Sequence, residues 1–261
     1  MLRALDTAAT GMAAEQMHID VISNNLANVN TTGFRRSRAE FQDLVYQTLK
    51  PTGAATGSGG AVPSGLQIGQ GTRAVATARD FAQGALRQTG NPLDLAIEGG
   101  GFLRITRPNG EPAYTRAGNL RTDAEGKLVT VDGYAVDPEV NIPPDATSVT
   151  IAPDGTVSVT QGGSSEATEV GRIQLATFPN VGGLDAIGRN LLVPTVASGD
   201  AVTANPGEGG TGTLLQGFLE GSNVEVVTEM IDLITSQRAY EINHRVIQAA
   251  DEMLRRTTEG R

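Results

Sequence analysis

From Ser222 to Leu254 the chain reads SNVEVVTEMIDLITSQRAYEINHRVIQAADEML, a run of helical periodicity whose apolar residues cover too much of its circumference for one neighbour to bury. One ribbon runs Val224, Val227, Ile231, Ile234, Arg238, Ile242, Val246, Ala249 and Met253, with a mean spacing of about 3.6 residues, the α-helical repeat. Val226, Met230, Leu233, Tyr240, Ile247 and Leu254 form a second ribbon beside it. Together they widen the apolar face to roughly half the helix, where a surface helix needs a stripe of only about 100°. A helix of this kind requires several partners.

The first partner stands at the other end of the chain. Leu5, Met12, Ile19 and Leu26 recur every seventh residue, with Ala8, Ile22 and Val29 completing a seam of heptad type. Helix formers dominate from Leu2 to His18, and the segment is expected to stop among Asn24, Asn25, Asn28, Asn30 and Thr31-Thr32-Gly33, which favour turns and caps. Two terminal helices pairing across a non-helical middle is also an ordinary way to close a domain. The surplus of apolar surface on both helices, and the small residues Ala4, Ala8, Ala9, Gly11, Ala13 and Ala14 that permit close approach, read instead as self-assembly.

Between the helices the texture changes. Phe34 to Leu49 fits a strand or a short helix. Pro51 to Gly65, PTGAATGSGGAVPSG, is too small-residued and polar to bury much apolar surface and is expected to be mobile in an isolated chain. From Gln67 onward strands and turns alternate: TRAVATARDF; LDLAI and FLRIT flanking Gly99-Gly100-Gly101; KLVTV; SVTIA and TVSVT flanking Pro153-Asp154-Gly155, a short-turn hairpin signal; then RIQLATF and a loop-rich stretch to Thr213. The fold class is α+β, with long N- and C-terminal helices packed as a coiled-coil-like pair and an antiparallel β-rich middle inserted between them. Residues 1–33 and 222–261 are assigned to a terminal helical assembly domain and 76–204 to an antiparallel β domain. Residues 34–75 and 205–221 form a connecting region that includes the insert 46–65.

Composition excludes several chemistries. There is no cysteine, hence no disulfide, thiolate nucleophile or Cys-based metal site. The only histidines, His18 and His244, fall on the two predicted helices and are too few for an imidazole cluster. Gly207, Gly209 and Gly212 satisfy G-x-G-x-x-G without the strand before it or the acid after it that a dinucleotide site needs. Gly99 to Gly101 lack the Lys-Ser/Thr of a P-loop, and a strand-to-strand turn explains them. No pair of carboxylates has a setting that would raise a pKa, so no catalytic residue, cofactor or metal is assigned. Residues 131–225 hold twelve acids against Arg172 and Arg189, a local excess slightly larger than the net charge of -9, so the rest of the chain is nearly neutral. That acidic surface, and a basic cluster limited to Arg35, Arg36 and Arg38, argue against nucleic acid. No apolar run suggests a signal peptide or a stable membrane insertion, which on its own makes the cytoplasm the default.

Four runs carry a resemblance: SNNLANVNTTGFRRSRAEFQDL (Ser23 to Leu44), NPLDLAIEGGGF (Asn91 to Phe102), YTRAGNLRTDAEGKLV (Tyr114 to Val129) and LLQGFLEGSNVEVVTEMIDLITSQRAYEINHRVI (Leu214 to Ile247). In this order they resemble the signatures of the bacterial flagellar rod and hook proteins. The overall length and the segment from Tyr46 to Gly65 look most like the members that build the distal rod. The resemblance implies a non-enzymatic subunit that polymerises with copies of itself into a rigid helical tube, carrying torque from the proximal rod to the hook. Its implied partners are proximal rod and hook subunits, the surrounding bushing rings and the flagellar export apparatus. Its implied place is the basal body, from the periplasm to the level of the outer membrane, reached by type III export without a cleaved signal. The expected interface comprises Leu5, Met12, Ile19, Leu26, Val227, Ile231, Ile234, Ile242, Val246 and Met253. The expected rigidity insert comprises Pro51, Gly53, Gly57, Gly60, Pro63 and Gly65. A proximal rod or hook subunit is the nearest alternative; a secreted β-rich hydrolase or adhesin is the alternative of another class.

Overall fold

The computed structural model describes residues 2–52, 64–162 and 167–259. The fold is α+β, a helix at each end and antiparallel β structure between, and the chain divides into two compact units.

The helical unit holds Met1–Ala27, Ser37–Ala78 and Glu225–Arg261. Helix α1 spans Leu2–Ala27 and helix α2 spans Val226–Glu259. They run antiparallel, since Asn25 meets Glu229 while Gly11 meets Asn243. Against α1 lies strand β1, Ser37–Asp43, paired with β4, Thr72–Arg79. Between them in sequence, β2 (Gln47–Lys50) and β3 (Leu66–Ile68) form a short antiparallel ladder, every residue of it exposed. Helix α1 stops at Ala27, within the expected stretch, but Asn24 and Asn25 still belong to the helix. The amide of Asn25 does not turn back on its own backbone, as asparagine often does. It accepts from Ser37 N at 2.9 Å and donates to Ser37 O at 2.8 Å, and so starts β1 as a strand. At the far end of the ladder Gly71, at φ +106°, carries the chain past α1 so closely that a Cβ there would lie 2.1 Å from Thr10 Oγ1.

The β unit holds Asn28–Arg36 and Arg79–Val224. Its strands include β5 (Leu86–Gln88), β6 (Leu95–Glu98), β7 (Phe102–Thr106) and β8 (Pro112–Thr115). The centre of its largest sheet is β7, which pairs antiparallel with β8, with Ala135–Val136 and with Leu175–Thr177. One apolar cluster gathers Leu95, Ile97, Leu103, Leu120, Val157 and Leu175. A second is aromatic, with Tyr114 and Phe102 edge-on to Phe178 at ring-centroid distances of 4.8 and 6.0 Å. The hairpin expected at Pro153-Asp154-Gly155 is present: Ala146–Ile151 pairs with Thr156–Gln161, and Gly155 takes φ +86°. Two hydrogen bonds from Thr156 hold the Asp154 carboxyl below its usual range, so this exposed turn contact is present above that range and lost as acid protonates it.

Gly99 to Gly101 do something other than turn one strand into its neighbour. Strand β6 pairs with Thr213–Gln216, and β7 belongs to a different sheet. The glycines let two backbones touch. Gly212 N donates to Gly100 O at 2.6 Å, a Cβ on Gly99 would lie 3.0 Å from Gly212 Cα, and one on Gly212 would lie 2.2 Å from Glu98 O. The G-x-G-x-x-G match and the triple glycine are two sides of one close backbone contact.

Candidate assembly surface

The seam between α1 and α2 is not apolar along its length. On α2 the residues turned inward are Glu229, Ser236 and Ala250, all nearly fully buried, with Asn243, Leu233, Ile247 and Leu254 half-buried beside them. The ribbon expected to seek partners is turned away. Val227, Ile231, Ile234, Ile242, Val246 and Met253 retain between 42 and 65% of their accessible surface. Six branched or long apolar side chains, three on either side of the exposed Arg238, lie on one solvent-facing side of one helix, a stripe of the kind that marks an interaction surface. The second ribbon divides: Leu233, Ile247 and Leu254 are partly covered, while Val226, Met230 and Tyr240 stay exposed. On α1, Leu5, Met12, Ile19 and Leu26 are half-buried, and the fully buried positions are Ala8, Ala14, Ile22 and Asn25.

The expected rigidity insert is only partly visible. Gly53, Gly57, Gly60 and Pro63 lie outside the described residues. Pro51 and Gly65 follow and precede β2 and β3, and a Cβ on Gly65 would fall 2.7 Å from Lys50 O. Leu49, Leu66 and Ile68 on this ladder are exposed, as are Val45 and Tyr46 just before it. The helical unit thus carries a second apolar patch besides the α2 stripe.

Within the β unit the four sequence blocks meet at a buried carboxylate. Glu220, with no accessible surface, accepts from Arg35 Nη2 at 2.7 Å, from Arg116 Nε at 2.8 Å and from Gly84 N at 2.9 Å. Arg116 spends its remaining donors on the carbonyls of Ile97, Gly99 and Gly101 and stands 5.9 Å from the Phe102 ring centre. Burial pulls the Arg116 pKa below its ordinary value, and the Glu220 carboxylate beside it opposes that pull. The Gly99–Gly101 loop therefore aims carbonyl oxygens at a protein cation, the opposite polarity to a phosphate cradle. Close by, Asn223 accepts from Arg36 N and donates to Asp80 O and Ala82 O, tying three passages of the chain. Asn25 does the same in the helical unit, where its amide also donates to Glu229 Oε2 at 3.1 Å.

Sequence reasoning missed Glu220, Glu229, Ser236 and Asn223. The one legible sign was the spacing Glu229, Ser236, Asn243, Ala250, a heptad of polar and small residues inside the apolar helix. Of the two histidines, His18 shares a hydrogen bond with Ser236 and His244 one with Gln248, and no cluster of three metal-capable side chains occurs among the described residues. No described helix is long and apolar enough to cross a membrane.

These features define a structural protein whose two ends fold together and whose middle forms a β unit of its own. Residues 5–35 match the family described as flagella basal body rod protein, 96–159 the flagellar hook protein FlgE/F/G D1 domain, and 215–259 the flagellar basal body rod FlgEFG protein C-terminal region. The chain is 52% identical to the flagellar basal-body rod protein FlgG of Caulobacter vibrioides over the whole of both chains. It is 44% identical to the FlgG of Bacillus subtilis over 97% of each, and 33% identical to the flagellar hook-basal body complex protein FlhP of the same organism, again over 97% of each. The chain belongs to the flagellar basal-body rod protein family and is a structural component of the bacterial flagellum.

Proposed function

We propose that this chain is a subunit of the distal rod. It polymerises with copies of itself into a rigid helical tube that passes torque from the proximal rod to the hook. The observation that carries this is the uncovered stripe Val227, Ile231, Ile234, Ile242, Val246 and Met253 on α2, joined by the half-buried heptad Leu5, Met12, Ile19 and Leu26 on α1. With about half of each side chain still exposed, burial against a neighbour would recover roughly 1 kcal/mol per side chain. Full-length likeness to relatives named as rod proteins, and weaker likeness to one named for the hook-basal body complex, favours the rod over the hook. Proximal rod and hook subunits would meet the two ends of such a tube and bushing rings its flank. Delivery would use the flagellar export apparatus, into the periplasm and up to the outer membrane, without a cleaved signal. Raising the concentration of purified protein is expected to produce straight helical rods in electron micrographs. Monomers at every concentration tested would overturn the proposal.

The exposed β2–β3 ladder and the insert it brackets are proposed to supply stiffness by reaching an adjacent subunit. Lys50 and Leu66 are cross-strand partners, so excising Pro51 to Gly65 outright would leave no turn between them. Replacing the segment with Asn-Gly, which closes a two-residue hairpin, avoids that fault. The variant is expected to assemble but to give curved or bendable rods. Straight rods of unchanged stiffness would reduce the segment to a linker.

A further inference from the structure

The α1–α2 seam contains a regular ladder of two hydrogen-bonded polar layers and one amide-on-glycine contact, which the assembly reading above does not use. Asn25 Nδ2 donates to Glu229 Oε2 at 3.1 Å; His18 Nδ1 and Ser236 Oγ share a hydrogen bond at 2.9 Å; and the Asn243 amide lies on Gly11, 3.0 Å from where a Cβ would stand. The three layers are seven residues apart on both helices, rising along α1 as they fall along α2, so all three belong to one antiparallel register. Asn25, Glu229 and Ser236 are at most 3% exposed.

Helix α2 presents two faces that α1 could cover. The apolar stripe is the more hydrophobic of the two, and apolar contacts are interchangeable under rotation or sliding. The two hydrogen-bonded layers are not, because any other pairing buries hydroxyl, amide or carboxylate groups away from their partners. Nor is the third, because the Asn243 amide fits only where α1 has no Cβ. Asn25 is tied further, since Ser37 takes both its oxygen and its amide nitrogen. We propose that Asn25–Glu229, His18–Ser236 and Gly11–Asn243 are specificity-determining pairs. They select which face of α2 the first helix covers, and in what register, and so leave the apolar stripe facing outward, toward a neighbouring copy. The proposal rests on the stripe being the intersubunit surface.

The chain has no cysteine, so spin labels can be placed on cysteines introduced at the exposed positions Ser23 and Gln237. Labelled subunits are assembled with an excess of unlabelled ones, and the distance between labels is measured in the rods by double electron–electron resonance. The unaltered ladder is expected to give one narrow distance. The variants are His18→Leu with Ser236→Leu, and Gly11→Ala with Asn243→Ala; the second removes a glycine from α1 and favours helix. Both are expected to keep their helix content by circular dichroism. Rod yield should fall about ten-fold, and the remaining rods should show a second, resolved distance, because a seven-residue slip carries one label about 10 Å along the helix axis past the other. His18→Asn, which can still bond Ser236, should restore yield and the single distance. Variant rods with one unchanged distance, at any yield, would overturn the proposal. A chain with its ladder intact that never forms rods would fail the assembly reading instead.

Discussion

Ile231→Asp is expected to abolish rod formation while leaving the monomer intact. Ile231 lies in the middle of the stripe and is 58% exposed in the isolated chain. A carboxylate there stays hydrated in the monomer, where surface substitutions usually change stability by no more than about 0.5 kcal/mol. Once a neighbour covers it the same group loses its water and gains no partner, a cost of several kcal/mol at every contact along a polymer. Helical circular dichroism and the thermal transition of the monomer should match the parent, and electron micrographs should show no rods at concentrations where the parent assembles fully. Undiminished rod yield would remove the Val227–Met253 ribbon from the subunit interface.

The second large effect is on stability. Glu220→Ala is expected to destabilise the β unit by about 3–5 kcal/mol, the usual cost of removing one partner from a buried ion pair. The side chains of Arg35 and Arg116, 5 and 6% exposed, would be left beside each other without a counter-charge, and Gly84 N would lose its acceptor. The β-sheet thermal transition should drop by roughly 10 °C. Glu220→Gln should fall between the two, since it keeps an acceptor and the side-chain shape but no charge. The two arginines are unequal. Arg116 also serves the carbonyls of Ile97, Gly99 and Gly101, whereas Arg35 Nε and Nη1 have no partner among the described residues, so Arg116→Met should cost more than Arg35→Met. A transition unmoved by Glu220→Ala would show that the carboxylate is not what holds the four sequence blocks together.

The two terminal helices, the Pro153–Gly155 hairpin and the antiparallel middle were legible because each is written locally, in a 3.6-residue or two-residue period or in a turn. The α2 ribbon was legible for the same reason, and the structure leaves it exposed. What could not be read is long-range. Asn25 looks like a turn former, and only the fold brings it to Ser37 and to Glu229, 204 residues away. Gly99 to Gly101 look like a strand-to-strand turn, because nothing nearby reveals that Gly212 will lie against them. Glu220 sits in an acidic stretch that reads as solvated surface, and becomes a buried anion only when Arg35 and Arg116 arrive from separate blocks.

Antiparallel pairing of α1 with α2 also settles an electrostatic matter. Each helix carries roughly half a positive charge at its N-terminus and half a negative charge at its C-terminus. The pairing of Asn25 with Glu229 brings the end of α1, at Ala27, level with the start of α2, at Val226, so opposite partial charges meet there. At the other end α2 extends past the start of α1 by about two turns, and its negative terminus carries Arg256 in the last turn. Each subunit therefore brings a nearly self-cancelled dipole to the packing of its neighbours. Many such pairs can stand side by side without the mutual repulsion that parallel helices would accumulate, and a tube wall built of them would gain little polarity along its axis.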